Sequence, residues 1–338
     1  ILQFSLFSYI FYILKKMPYE ISIIIPFLDA YKFINSSFQN SRDIIKNRNI
    51  QIIYVDNNSK DKSALILKKK INNTKDILLL KTTKSMGIGP GVARNLGTKF
   101  ASGRKILFLD VDDKLTINKV AKLVKFSKKN NYNLVYLGKK IIKCKKSQNK
   151  KLSPFLKYHK NNLKKFFRNS NNMQVISILF DKKFIKRNNL VFNKGIYEDI
   201  FFLFKAHFYN NKKICNLKEK FYLKISHKNS IINSSLSLYH LKWMFNAWKS
   251  IDKFVKTKVP MSEYKKLYPS IQYRLRGEFS NEYNKILNCK LSNYHKNKFL
   301  NYVKQNYKNI ICSNFVAKTE KDKIVKKILN YSFRFKER

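Results

Sequence analysis

The chain has 338 residues, with 71 Lys plus Arg against 20 Asp plus Glu and a formal charge of +51. Its 44% hydrophobic and 14% aromatic content can fill one large core or two smaller ones, which excludes wholesale disorder. Lys is dispersed along the chain, and no zinc knuckle or RNP-type aromatic signature accompanies it, so nucleic acid is not an expected partner.

Ile1 to Leu14 is an apolar run followed by Lys15 and Lys16. It is short for a bilayer span, and its charges follow the run, whereas a secretory signal places them before it. Met17 is read as the natural start, with residues 1–16 as upstream translation or a remnant; a short membrane anchor is the alternative. Ile21 to Ile25 reads as a buried strand ended by Pro26, and Ala30 to Ile45 as a helix. Ile50 to Val55 is a second buried strand, closed by Asp56-Asn57-Asn58-Ser59, and Asp61 to Lys70 a second helix. Ile77 to Leu80 is a third strand. Gly87 to Gly91 is a loop, and Val92 to Ala101 a helix carrying Arg94 and Asn95. Ile106 to Leu109 is the fourth strand, and it runs into Asp110, Asp112 and Asp113.

From Lys114 to about Asn172 the pattern loosens, with Leu134 to Leu137 as a strand. Val175 to Phe180 is an apolar run and Phe184 to Leu190 a short helix. Glu198 and Asp199 open an amphipathic stretch through Phe208. Beyond Ser235 the strand signals fade, and Leu241, Met244, Phe245, Trp248, Ile251 and Phe254 follow helical spacing. The domain expectation is therefore an α/β domain over residues 17–235 and a basic helical extension over 236–338. Four separated cysteines with no C-x-x-C pair argue against a zinc site or disulfide scaffold and fit a reducing cytosol.

Strands alternating with helices imply βαβ units and a mostly parallel sheet flanked by helices, which binds ligands beyond the carboxyl ends of its strands. Pro26 to Asp29, Asp56 to Ser59 and Asp110 to Asp113 all lie at such ends. Three carboxylates in four positions repel one another, a conflict that a divalent cation removes. The plain alternative is a solvated turn, where Asp is common.

In this order and spacing the motifs resemble those of family-2 glycosyltransferases of the GT-A fold, over about Tyr19 to Ser230. Ile23-Ile24-Ile25-Pro26-Phe27-Leu28-Asp29 stands for the opening strand and turn, and Val55-Asp56-Asn57-Asn58-Ser59-Lys60-Asp61 for Val-Asp-Asp-Gly-Ser-x-Asp. Ala93-Arg94-Asn95-Leu96-Gly97 matches Ala-Arg-Asn-x-Gly. Leu109-Asp110-Val111-Asp112-Asp113 matches Leu-Asp-x-Asp-Asp, and Glu198-Asp199 the downstream acidic pair. The resemblance implies a metal-dependent, inverting transfer of a sugar from a nucleotide-sugar, UDP-linked, to a hydroxyl of a saccharide or lipid-linked acceptor. The setting it implies is surface polysaccharide or glycolipid synthesis in the cytoplasm, at the inner face of the plasma membrane.

It also implies roles. Asp112 is the first metal ligand, for Mn²⁺ or Mg²⁺. Asp110 and Asp113 contact the metal directly, through water, or through the donor. Asp56 accepts a hydrogen bond from the nucleotide base, with Pro26 lining the same pocket. Arg94 contacts the diphosphate or, equally, pairs with Asp56 or the acidic cluster. Asp199 is the general base, although Glu198 and Asp199 would also suit a helix cap. Lys224 stands near the position of a family Arg, and His227 is not assigned a role. Leu28 in place of an aromatic, Asn57 in place of an acid and Gly87 in place of Asn depart from the pattern. Rival readings are a sugar-nucleotide nucleotidyltransferase and a non-catalytic basic module; an anionic membrane surface would suit the Lys excess.

Overall fold

The computed structural model describes residues 19–46, 49–72, 74–143, 163, 167, 174–212, 214–226, 237–308, 311, 323 and 325. The apolar segment 1–16 and His227 lie outside the described residues. Those that are described fall into two compact units, an α/β unit up to residue 226 and a helical unit over 237–325 that also includes Leu163 and Phe167.

The α/β unit is built on β1 (Ile21–Phe27) and β2 (Ile50–Asp56), each buried at all seven positions. Such continuous β-branched runs suit strands covered on both faces. With β3 (Ile77–Lys81), β4 (Lys105–Phe108), β5 (Lys114–Leu115), β6 (Leu134–Lys143), β7 (Ile178–Asp181) and β8 (Cys215–Ser226) they form one sheet in the order β3-β2-β1-β4-β7-β6-β8-β5. The half β3-β2-β1-β4 is parallel, as is β6 with β8, while β7 runs antiparallel to both its neighbours and β5 antiparallel to β8. Around the sheet lie α1 (Tyr31–Ile45), α2 (Ser63–Ile71), α3 (Pro90–Phe100), α4 (Ile117–Lys129), α5 (Lys182–Arg187) and α6 (Glu198–Tyr209).

The first strand does not stop at Pro26, which pairs in register with Val55. Its missing N–H costs nothing there. Even-numbered residues of β1 face β4, as Ile24 does in accepting from the Leu109 N–H, and the β4 ladder has ended before Pro26. The stretch after Lys114 that reads as loosely patterned contains α4, whose Val120, Leu123, Val124 and Ser127 are buried at helical spacing. Strand β8, unassigned in the sequence reading, is polar enough along Lys218 to Lys220 to hide its alternation.

The two faces of the sheet have different cores. Ile23, Ile25, Phe27, Ile52, Tyr54 and Leu107 pack with Ile34 and Phe38 of α1 and Leu123 of α4. On the other face Gly97 of α3 approaches Ile24 so closely that a Cβ would sit 2.5 Å from Ile24 Cγ2. Farther along that face, Phe108 meets Phe180, Phe192 and Phe202 edge-on at 5.9, 5.2 and 6.2 Å, and Phe192 stacks on Phe202 at 3.9 Å. This cluster anchors α6 against the end of β4.

The helical unit consists of α7 (Leu238–Lys258), α8 (Met261–Leu287) and α9 (Asn293–Lys308). Leu241, Met244, Phe245, Trp248 and Ile251 are buried as the spacing predicts, but Val255 takes the place expected for Phe254. Arg274 lies over the Trp248 ring at 5.2 Å. Among the described residues, no helix is long and apolar enough to cross a membrane.

The aromatic anchor yields the first testable expectation. Phe202→Ala leaves a cavity under β4 and lowers stability by about 3–5 kcal/mol, as buried Phe→Ala changes do. Chemical denaturation measures it; a loss below about 1 kcal/mol would remove the anchor.

Candidate active site

Hydrogen bonds bind the ends of β1 and β2 into one surface. Asn57 N–H donates to the Phe27 carbonyl at 2.8 Å, and Asp29 accepts from the N–H of Lys60 at 2.7 Å. Asp29 itself sits at positive φ, which its short polar side chain tolerates. Behind this turn Asp56 is 1% exposed. Its Oδ1 accepts from Ser59 N–H at 2.8 Å, while its buried Oδ2 has no partner among the described residues. An orphaned buried carboxylate oxygen carries a desolvation cost that a ligand N–H would remove. Pro26 and Asn57 are buried beside it, and Asn57 accepts from Thr82 Oγ1 at 3.1 Å. Leu28, by contrast, is exposed.

At the end of β4 the chain turns, with Asp113 N–H donating to the Asp110 carbonyl at 3.0 Å. Oxygens of Asp110, Asp112 and Asp113 lie within 4.8 Å of one another. Asp113 is buried and pinned: Tyr222 O–H donates to one oxygen at 2.7 Å, and Ile225 N–H to the other at 2.7 Å. Burial and the neighbouring Asp110 push its pKa up to about 7 against those hydrogen bonds, with Asp112 adding to the rise. Tyr222 also accepts from the Asp110 N–H at 3.3 Å. Tyr222 is the main site residue that the sequence reading missed; a Phe221-Tyr222 pair in an unassigned strand gave little to find it by.

Arg94, on α3, joins this turn to α6. One terminal nitrogen donates to Asp110 at 3.0 Å and the other to Glu198. Of the partners considered from sequence, it is the acidic cluster that Arg94 meets, and among the described residues no bond to Asp56 is formed. The rest of the motif serves this contact. Asn95 brackets Phe192 with two bonds of 2.9 Å, donating to its carbonyl and accepting from its N–H. Gly91 leaves room where a Cβ would meet Glu198 Cγ at 2.6 Å.

Glu198 and Asp199 occupy the first turn of α6, after Tyr197 in the left-handed region. Burial raises the Glu198 pKa, with Arg94 opposing. The half-buried Asp199 is also raised, first by burial and next by the Glu198 charge, while Arg94 and a Val175 backbone bond oppose. Asp110 adds to the rise, so the two acidic groups sense each other's charge. The structure thus brings Asp110, Asp112, Asp113, Arg94, Glu198 and Asp199 into one electrostatic neighbourhood, with Pro26 one strand and Asp56 two strands away along the same edge. Arranged this way the site offers three clustered carboxylates that could hold a cation, an acceptor for a ligand N–H and a carboxylate of raised basicity.

Comparison with known proteins agrees with the geometry. The family model described as glycosyl transferase family 2 matches residues 22–191, half of the chain. An uncharacterized glycosyltransferase of Haemophilus influenzae is 34% identical over 111 residues, covering 33% of this chain and 43% of the relative. The Escherichia coli UDP-Glc:alpha-D-GlcNAc-diphosphoundecaprenol beta-1,3-glucosyltransferase WfgD is 31% identical over 126 residues, 37% of this chain and 47% of that one. The chain thus spans less than half the length of these relatives. The crystal structure of S. aureus TarS in complex with UDP superposes with a TM-score of 0.61 at 16% identity, covering 92% of this chain and 89% of that one. That likeness shows the mixed-sheet GT-A fold with its helical C-terminal region. The chain belongs to glycosyltransferase family 2.

Proposed function

We propose that the chain transfers a sugar from a UDP-linked donor to a hydroxyl of a saccharide or lipid-linked acceptor, with inversion at the anomeric carbon. The single observation that carries this reading is the Asp110–Arg94–Glu198 bridge, which holds the acidic turn of β4 and the first turn of α6 around one guanidinium. The UDP in the TarS complex and the UDP-glucose in the name of the E. coli relative support the donor class.

Asp56 accepts the nucleobase N–H on its unpartnered Oδ2, with Pro26 beside it. Asp112 and Asp110 hold a divalent cation, Mn²⁺ or Mg²⁺; the fit rests on three clustered carboxylates, whose mutual repulsion a cation would relieve. When bound, the cation offsets the negative charge that grows on the departing diphosphate. Arg94 acts as a positioning residue, since both terminal nitrogens are already engaged and its side chain is 7% exposed. Asp199 takes the proton from the acceptor hydroxyl as oxygen attacks the anomeric carbon. The base stands opposite the leaving group, so the substitution is in line and the configuration inverts. A carboxylate raised toward neutrality is a better base than an ordinary one and remains ionised above that pH. The diphosphoundecaprenol in the name of the E. coli relative and the Lys excess here favour a lipid-linked acceptor at an anionic cytoplasmic membrane face.

Two outcomes follow. Asp199→Asn retains UDP binding and lowers transfer by roughly 10²–10⁴-fold, the usual worth of a general base. In the unmodified protein, kcat falls as acid protonates Asp199. The midpoint lies above the ordinary carboxylate range, because burial and Glu198 raise the pKa. Turnover of Asp199→Asn near that of the unmodified protein would take the base away from Asp199. Asp112→Ala abolishes the Mn²⁺-dependent part of UDP binding in titration calorimetry; equal affinities with and without Mn²⁺ in the parent protein would refute the cation site.

A further inference from the structure

Strands β6 and β8 run parallel, and their register is broken beside the active site. Leu137 faces Leu217, but Gly138 faces Lys220 and Lys139 faces Tyr222. With an unbroken ladder Lys139 would stand opposite Glu219, an acid that would neutralise it. Gly138 permits the slip, because its bare Cα lies against the backbone carbonyls of Lys218 and Glu219, where a Cβ would collide. The extra residues of β8 carry Glu219 away, and it pairs with Lys122 instead. Irregularities of this kind re-aim side chains next to active sites.

The consequence for Lys139 is a charge with no carboxylate paired to it among the described residues. It now stands opposite the residue whose hydroxyl holds Asp113, and two residues farther along the ladder Ile141 faces Lys224. Among the described residues its hydrogen-bond partner is the neutral Gln174, at 3.2 Å, and no carboxylate forms an ion pair with it. Burial, then the nearby Lys224, depress its pKa to about 8, while Asp113 acts in the opposite direction. A half-buried ammonium that feels Asp113 but forms no ion pair is costly unless an anion completes it. The acidic turn beside it repels a bare carboxylate ligand, whereas a phosphate could share the cation proposed for that turn.

Resting on the glycosyltransferase reading, we propose that Lys139, aided by Lys224, binds a phosphate oxygen beside Asp113 during the reaction. The same chemistry has two sources, the donor diphosphate and a phosphodiester of the acceptor. A lysine serves either one, as a point charge with three donors.

The test compares the full chain with its Lys139→Gln and Lys139→Arg variants, each with Mn²⁺. Three probes are used: UDP, uridine and poly(ribitol phosphate). Lys139→Gln is expected to weaken UDP at least tenfold, to leave uridine binding unchanged and to be largely rescued by Lys139→Arg. A tenfold or greater loss confined to poly(ribitol phosphate) supports the same role with the acceptor as the source. Unchanged uridine binding shows that the fold has survived. Loss of UDP, uridine and polymer binding together in both variants would make Lys139 structural and overturn the proposal. So would unchanged affinity for both phosphate probes. Failure of the unmodified chain to bind either UDP or uridine would instead sink the underlying reading.

Discussion

The buried guanidinium of Arg94 is the contact on which the site depends. Five carboxylates, those of Asp110, Asp112, Asp113, Glu198 and Asp199, gather at the edge of a sheet whose surroundings are strongly basic. Arg94 is the cation among them that the fold fixes, and it reaches two elements at once. A guanidinium can do this because its terminal nitrogens diverge in one plane, giving each partner its own nitrogen, whereas a lysine must bring both partners to one point charge. Removing either end of a buried pair leaves an uncompensated charge, which is strongly destabilising, by about 3–5 kcal/mol.

From that contact the division of labour among the acids follows. Glu198 is occupied by Arg94, and its charge is felt by the adjacent Asp199, which burial has already made reluctant to ionise. One carboxylate of the pair is structural and the other is kept basic, an arrangement of unequal neighbours that suits proton abstraction. On the opposite side Asp113 is held by Tyr222 and Ile225, so it shapes the acidic turn while Asp112 and Asp110 are assigned the cation. The broken ladder at Gly138 adds a positive group at the far edge of this turn. Charges of both signs are thereby sorted within a few residues of β4.

Much of this was legible in the sequence, and the reasons are specific. The β-branched runs of β1 and β2 can be little else than buried parallel strands, and with the apolar β4 their polar ends mark the ligand edge. Motif order located Arg94 and the acidic pair, although only coordinates show that Arg94 spans Asp110 and Glu198. Pro26 misled about where β1 ends, because a proline is harmless where the adjoining ladder has stopped. Helix α4 went unread although Val120, Leu123, Val124 and Ser127 keep helical spacing, since intervening lysines blurred the pattern. Strand β8, and with it Tyr222 and the placement of Lys139, depends on pairing between distant segments and on a register slip, neither of which leaves a local signal.

A double-mutant cycle on Arg94 and Glu198 addresses the central claim most directly. Arg94→Met, Glu198→Met and the double variant are compared in unfolding free energy and in sugar-transfer rate. If one guanidinium holds the acidic turn and the base together, each single change is severe, and the double change is far less than the sum in both measures. Additive losses, or an Arg94→Met protein that transfers sugar at the unmodified rate, would contradict the account.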